Sequence, residues 1–406
     1  MLKRLRLHNF KSFLNFEMDF TSRHLLIGKN NSGKTNLCSA IRFLGATART
    51  DLATAAANCI QGGIPEIQNW NLLGKPIDFK VICELPFEGS TLTYQYDLSL
   101  EATGIGKEIG SGEVHLRLIE ERLKMEGGGF SNASLLVNDG REAHLLHEES
   151  TGKPEGPYTP RTLAPQDATM LSRLYALKTN RRAILFRQFL QSWMYFRLSP
   201  DSIRSRWRDA ERSGSLYQED GRHLPSAIFK LKNEDDRRYR RLIQRVKDNV
   251  EPDLEAINFL VSPDQGVVPY VTLRGRPRAS WAVLSDGTLL ALALSQFIEQ
   301  ADAQLDDTGP PPPLMIIEEP ENGLYTPVLR ELLEDFEKTP VRAQFIFTSH
   351  SPNFIDLFDR DLSNVTALKK EDDVTVAMPL VRKKETIERH RGDFSLGELH
   401  FKELFA

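Results

Sequence analysis

The sequence predicts an α/β fold assembled from the two ends of the chain, with a helical lobe inserted between them. Three observations predict it. A strand at His24 to Ile27 runs straight into a glycine-bearing loop and a helix beginning near Lys34; strand and helix alternate again from Ile257 to Thr348; and the stretch from about Ala168 to Asp253 carries helical periodicity. The expected division is therefore 1–165 and 257–406 as two halves of one lobe, with 166–256 as the insertion.

Taken in order, Leu2 to Leu7 reads as a strand ahead of the one at His24. Alternating apolar segments at Phe79 to Leu85, Leu92 to Leu100 and Val114 to Leu118 are bounded by Gly89, Gly106 and Gly110, which predicts an antiparallel sheet. From Gly127 to Pro165 the chain is rich in Gly, Ser, Glu and Pro, the composition of loops. Strands follow at Ile257 to Val261 and Val268 to Leu273, then a helix after Asp286, and further strands at Leu314 to Ile317 and Gln344 to Thr348.

Composition excludes several classes. With 406 residues and 40% hydrophobic content the chain can bury a large core. There is no apolar run of the roughly 18 to 20 residues that a membrane span needs, and MLKRLRLHNF is too charged for a signal peptide, so a cytoplasmic protein is expected. Cys38, Cys59 and Cys83 lack CxxC spacing and read as buried free thiols. The net charge of −4 hides a local excess: eighteen Lys/Arg face eight Asp/Glu between Lys178 and Lys247.

The chemistry lies in short motifs. GKNNSGKT, Gly28 to Thr35, fits GxxxxGK[ST] between a strand and a helix. Gly28 and Gly33 permit the tight loop, the N–H groups from Asn30 through Asn31, Ser32 and Gly33 to Thr35 can encircle a phosphate, Lys34 sets a cation between β- and γ-phosphates, and Thr35 can hold Mg²⁺. LMIIEEPE, Leu314 to Glu321, is an apolar strand delivering two carboxylates, Glu318 and Glu319, at the edge where α/β sheets bind ligands. Alternate residues face opposite ways, so one carboxylate can meet the metal and the other the attacking water. LSDGT, Leu284 to Thr288, and TSHS, Thr348 to Ser351, taken singly read as a helix cap and a structural histidine.

Their order changes that reading. The phosphate loop, the insertion, LSDGT, IIEEPE and a histidine 31 residues after Glu319 resemble the ABC ATPases. The finer resemblance is to SMC, RecF and OLD-like proteins, through LHNFKSF, GKNNSGKTNL, IEEPENGL and FTSHSP, with EDGRHLPSAIFKL and FSLGELHFKEL also similar. The resemblance implies a P-loop NTPase fold of the ABC-ATPase head kind, with mixed sheets and an inserted helical lobe. It implies that Glu318 stands in the place of the usual metal-binding aspartate, Glu319 activates water, and His350 contacts the γ-phosphate. Lys11, Ser12 and Asn36 would lie near the nucleotide, and Gln166 is the candidate second metal contact. Ser285 and Gly287 would bind the ATP held by a second subunit, with Asp286 where that family has glycine. A homodimer sandwiching two ATPs is the implied assembly.

A coiled-coil arm is not expected, since the insertion has no long heptad run, and the 56 residues after His350 are too few for the nuclease domain of OLD enzymes. A nuclease or other effector would be a separate chain, acting in DNA maintenance or defence against phage. Arg204, Arg206 and Arg208, and Arg237, Arg238, Arg240 and Arg241, interleaved with Trp207 and Tyr239, suit the phosphate backbone of DNA. An acidic partner protein or a solvated helix face would use the same residues. A nucleotide-gated scaffold with negligible turnover is the alternative function.

Overall fold

The computed structural model describes residues 1–104, 114–146, 162–163, 165–174, 180–204, 219–262, 266–302, 313–338 and 343–404. Among them the strands are β1 Leu2–Phe10, β2 Phe13–Asp19, β3 Arg23–Ile27, β4 Ile77–Phe87, β5 Ser90–Thr103, β6 His115–Gly127, β7 Phe130–Asn138, β8 Glu142–Leu145 and β9 Thr162–Leu163, then β10 Met194–Phe196, β11 Leu254–Ser262, β12 Gly266–Leu273, β13 Arg276–Ser280, β14 Leu314–Glu318, β15 Gln344–Ser349, β16 Val365–Glu371 and β17 Val374–Pro379. The helices are α1 Lys34–Thr47, α2 Leu52–Cys59, α3 Arg181–Gln191, α4 Pro200–Arg204, α5 Leu224–Glu234, α6 Asp236–Asn249, α7 Asp286–Asp302, α8 Thr326–Lys338, α9 Pro352–Ile355, α10 Lys384–His390 and α11 Leu396–Phe401.

The first sheet has the order β2-β1-β4-β5-β6-β7-β8-β9 and is antiparallel throughout. Its strands alternate, as β4 and β5 show, burying every second residue. Phe79, Val81, Tyr94 and Tyr96 turn inward onto Phe43 of α1 and Phe186 of α3. The second sheet, β10-β14-β15-β3-β16-β17, is parallel from β10 to β16. Here β14 and β15 are buried along their whole length because both faces are covered. Leu314 and Ile316 join the core under α1, while Met315 and Ile317 join the one under α7 and α8. This double covering is why LMIIE reads as a continuous apolar run rather than an alternation.

Several expectations need correction. The Gly127 to Pro165 stretch is not simply loop: β7 and β8 extend the first sheet, with Gly127 to Gly129 forming the turn into β7; residues 147–161 lie outside the described ones. The insertion boundaries also move. β10 pairs with β14 inside the parallel sheet, and α3 packs in the first core, so residues 180–196 belong to the main lobe. In the other direction, β11 to β13 form a separate sheet sharing a core with α5, α6 and Leu289, Leu292 and Ala293 of α7. The second lobe therefore runs through the α7 start and is not purely helical. Sequence reasoning also missed β2, β16 and β17.

One buried group ties the central sheet to pH. His24 on β3 is 2% exposed; its ring meets Thr366 Oγ1 of β16 at 3.0 Å and Thr21 Oγ1 at 3.2 Å. Burial pushes its pKa down to about 4. The unfolded chain thus binds a proton that the folded chain refuses, and stability falls as pH drops from about 6.5 toward 4. Urea midpoints across that range should fall for the wild type and fall less steeply for His24→Asn; equal slopes would assign the acid sensitivity elsewhere.

Candidate functional site

The phosphate loop is shaped by its backbone. Gly28 (φ 153°), Asn31 (φ 67°) and Gly33 (φ 102°) take conformations that L side chains resist, and Gly33 precedes α1 directly. A Cβ at Gly28 would stand 2.5 Å from Leu368 O of β16, and one at Gly33 would collide with Thr375 of β17. Thr375 also clamps the neighbouring turn: its N–H donates to Ser12 O at 2.8 Å, and its Oγ1 donates to Ser12 Oγ at 2.8 Å and approaches Ser32 O at 3.2 Å. Asn36 Nδ2 donates to the same Ser12 Oγ at 2.8 Å. The Lys11–Ser12 turn, with Lys11 at φ 49°, is thereby held against the loop.

Lys34 is 8% exposed, its Nζ donating to Gly28 O at 2.5 Å and Lys29 O at 3.1 Å. Burial pulls its pKa down while Glu319 and Glu318 pull it up, which places both carboxylates within electrostatic reach. Thr35 is exposed at the helix start. A cleft of about 320 Å³ beside Gly28 to Ser32 is walled by β16 and by His400 and Glu403, Glu403 forming an ion pair with Lys29. Burial, followed by Lys34, holds His400 down near about 4.

The carboxylates sit on the adjoining strand ends. Glu318, 7% exposed, accepts from Tyr195 Oη at 2.8 Å through Oε2, while its buried Oε1 meets no protein partner. Burial and Glu318 together push the Tyr195 phenol well above its ordinary pKa. Glu319 follows in a left-handed backbone (φ 47°), its N–H donating to Thr348 O at 2.9 Å. Oε1 of Glu319 lies 3.1 Å from His350 Nδ1, and Oε2 accepts from Asn322 Nδ2 at 2.9 Å. Next to them Ser349 Oγ donates to Glu321 Oε1 at 2.5 Å; burial raises the Glu321 pKa.

The residues present fit a hydrated Mg²⁺ bound jointly with phosphates. Among the described residues no cluster of three or more His, Cys, Asp or Glu could hold a metal by itself, and Mg²⁺ typically takes one or two protein oxygens plus substrate phosphates. Ser32 Oγ and Glu318 Oε1 are buried polar atoms without partners at this place, as a site awaiting a polar ligand would have.

In the second lobe, Ser285 Oγ accepts from Thr288 N at 3.1 Å and so caps α7. Asp286 and Leu284 O are both bonded by Arg204. Gly287 lies against Gly323 O, just beyond Glu319.

Two groups of expected residues are placed elsewhere. Gln166 is exposed at the first sheet: its O accepts from Leu118 N at 2.8 Å and its side chain meets Arg117, so it is not brought to the loop. β10 flanks β14 up to Ile317, and from it Tyr195 hydrogen-bonds the Glu318 carboxylate. Of the arginines, Arg238 pairs with Asp235, Arg240 with Asp236 and Arg241 with Glu299, while Arg204 serves the LSDGT segment. Arg204, Arg238 and Arg241 are engaged within the chain, whereas the Arg240–Asp236 pair is exposed on both sides. Arg237 is exposed, and Arg206 and Arg208 lie outside the described residues. Sequence reasoning missed Tyr195 and Thr375, which belong to no motif, and gave no role to Asn322, which lies within IEEPENGL.

A parallel sheet with β15 between β14 and β3, a phosphate loop after β3 and carboxylates after β14 define a P-loop NTPase. The chain belongs to the family described as AAA domain, putative AbiEii toxin, Type IV TA system, whose model matches residues 23–356. No curated protein matches the sequence. Among solved structures it is similar to the Smc head bound to the C-winged-helix domain of ScpA (14% identity, 94% of this chain and 99% of that one, TM-score 0.47). It is also similar to the SMC head domain from Thermotoga maritima (14%, 93% and 98%, TM-score 0.42). A third likeness is to the Smc head with an extended coiled coil bound to the C-terminal domain of ScpA derived from Pyrococcus furiosus (13%, 96% and 99%, TM-score 0.43). No helix among the described residues is long and apolar enough to cross a membrane.

Proposed function

We propose that the chain is an ATPase that binds ATP with Mg²⁺ at Gly28 to Asn36, hydrolyses it to ADP and phosphate, and closes into a two-fold dimer around two nucleotides. The observation that carries the reading is Glu319, a carboxylate held in a strained backbone between His350 and Asn322, within electrostatic reach of Lys34. Glu319 would accept the proton of the attacking water, His350 would orient Glu319 and meet the γ-phosphate, and Lys34 would leave the loop carbonyls for the phosphate oxygens. Thr35 and Glu318 would hold Mg²⁺, which supplies charge neutralisation between the β- and γ-phosphates. Lys11, Ser12 and Asn36 would line the nucleotide. Ser285 and Gly287, presented at the start of α7, would complete the partner's site, each interface being self-complementary.

The work of the cycle would be done with a separate effector. The family description names a putative toxin of a type IV toxin–antitoxin system, which is consistent with a second protein acting beside this one. DNA contact would rest on Arg237 and Arg240 of α6 together with Arg206 and Arg208, since Arg238 and Arg241 are engaged. The nucleotide-gated scaffold is the second reading; it is favoured by Glu318 standing where the usual metal-binding aspartate is expected.

Glu319→Gln tests the proposal. It should bind ATP, turn over at least about tenfold more slowly than the wild type, and accumulate ATP-bound dimers in sedimentation. Full activity in the variant would move the base elsewhere. Wild-type turnover at background despite tight ATP binding would select the scaffold.

A further inference from the structure

Tyr195 hydrogen-bonds the candidate metal carboxylate, which the buried Cys38 thiol of α1 also approaches, and no motif accounts for it. It lies in the middle of β10, opposite Ile316 in the parallel pairing with β14, and its phenol extends along the strand to Glu318 Oε2 at 2.8 Å. Its ring is covered by the Arg42 guanidinium, 4.3 Å from the ring centroid. Arg42 sits on α1, and is itself tied to Asn58 O at 3.2 Å and to Glu219. The tyrosine is thus clamped between the strand that carries Glu318 and the helix that begins with Lys34.

The consequence is an asymmetry between the two oxygens of Glu318. Oε2 is held by a hydrogen bond, whereas Oε1 is buried and has no protein partner. A carboxylate free to rotate would have to be ordered on binding a cation, and donors behind a ligand commonly supply that order beforehand. Glutamate, one methylene longer than aspartate, gives the carboxylate the reach to meet a partner on β10 while its other oxygen stays buried and unpaired.

We infer that Tyr195 is a positioning residue for Glu318: by binding Oε2 it fixes the carboxylate and aims Oε1 at the divalent cation that accompanies the nucleotide phosphates. The inference rests on the nucleotide site proposed above. Gln166, held at the first sheet, takes no part in this arrangement. The inference also gives β10 a role beyond that of an edge strand.

The test is Tyr195→Phe, which keeps the ring beneath Arg42 and removes only the donor. Mn²⁺ serves as the probe, its affinity for the complex of protein with a non-hydrolysable ATP analogue being read by electron paramagnetic resonance. The variant should bind Mn²⁺ about tenfold more weakly, while its metal-free affinity for the analogue and its melting midpoint stay near wild type. In a Glu318→Gln background, Tyr195→Phe should add no further loss, because its effect passes through that carboxylate. Wild-type Mn²⁺ affinity in Tyr195→Phe would overturn the inference, as would an equal loss in both backgrounds, which would make Tyr195 a packing residue. Failure of the wild type to bind the analogue at all would instead overturn the nucleotide reading, and the inference with it.

Discussion

Lys34→Ala should lower affinity for an ATP analogue by at least about a hundredfold. Lys34 is 8% exposed and its ammonium is held by two loop carbonyls, Gly28 O and Lys29 O, which it would exchange for phosphate oxygens on binding. A charge-assisted hydrogen bond is worth about 1.5–3 kcal/mol, and a phosphate would receive more than one from this group. Losing them costs about two decades in the binding constant. Equilibrium binding of a labelled analogue decides the matter. Unchanged affinity would mean that the loop is not the nucleotide site, and a melting curve alongside shows whether the loop kept its shape.

Glu299→Ala should produce the largest loss of stability. Glu299 is on α7, 1% exposed, and accepts from Arg241 at 2.9 Å and Arg245 at 3.0 Å; Arg238 donates to its backbone O at 3.0 Å. Arg245 continues to Asp335 on α8 at 2.9 Å. One carboxylate therefore binds α6 to α7, with α8 attached through Arg245. Removing it takes one of two carboxylates from the Arg245 guanidinium, 12% exposed, leaving Asp335 as its remaining acidic partner, and takes an acidic partner from Arg241, which costs up to about 3–5 kcal/mol. That is a large part of the ~5–15 kcal/mol available to a folded domain. The urea midpoint should fall in Glu299→Ala and recover in part when Arg245→Met removes the buried charge that has lost one of its two carboxylates. A wild-type midpoint in the single variant would show that the arginines find other partners. By the same logic, converting Arg237, Arg238, Arg240 and Arg241 together to Glu should destabilise the chain, so a weakened DNA affinity would count only if measured on folded protein.

The arginine cluster shows where sequence reading stops. Eighteen cations in a segment of local excess looked like a surface for phosphates, but a count along the chain does not register Glu299, which lies 58 residues beyond Arg241 and meets it only when α6 packs on α7. Gln166 failed for a related reason: a glutamine in a loop carries no local signal of which sheet edge it will reach. The missed strands β7 and β8 lie in a Gly- and Ser-rich stretch whose alternation is short, and they are stabilised by pairing across the sheet rather than by their own apolar content.

By itself the sequence determined the parts whose physics is contiguous. The glycines that allow the loop, the lysine that follows them, the buried run ending in two carboxylates and the strand ending in His350 each need only neighbours along the chain, so their patterns could be read without a fold. The tertiary structure alone decided the pairings between distant segments. Tyr195 meets Glu318 across 123 positions, and Thr375 meets Ser12 across 363. Such contacts form only after β10 has paired with β14 and β17 has come up against the phosphate loop. Hydrogen bonds act over about 3 Å whatever the distance along the chain, and no local pattern in sequence encodes which distant partner will arrive.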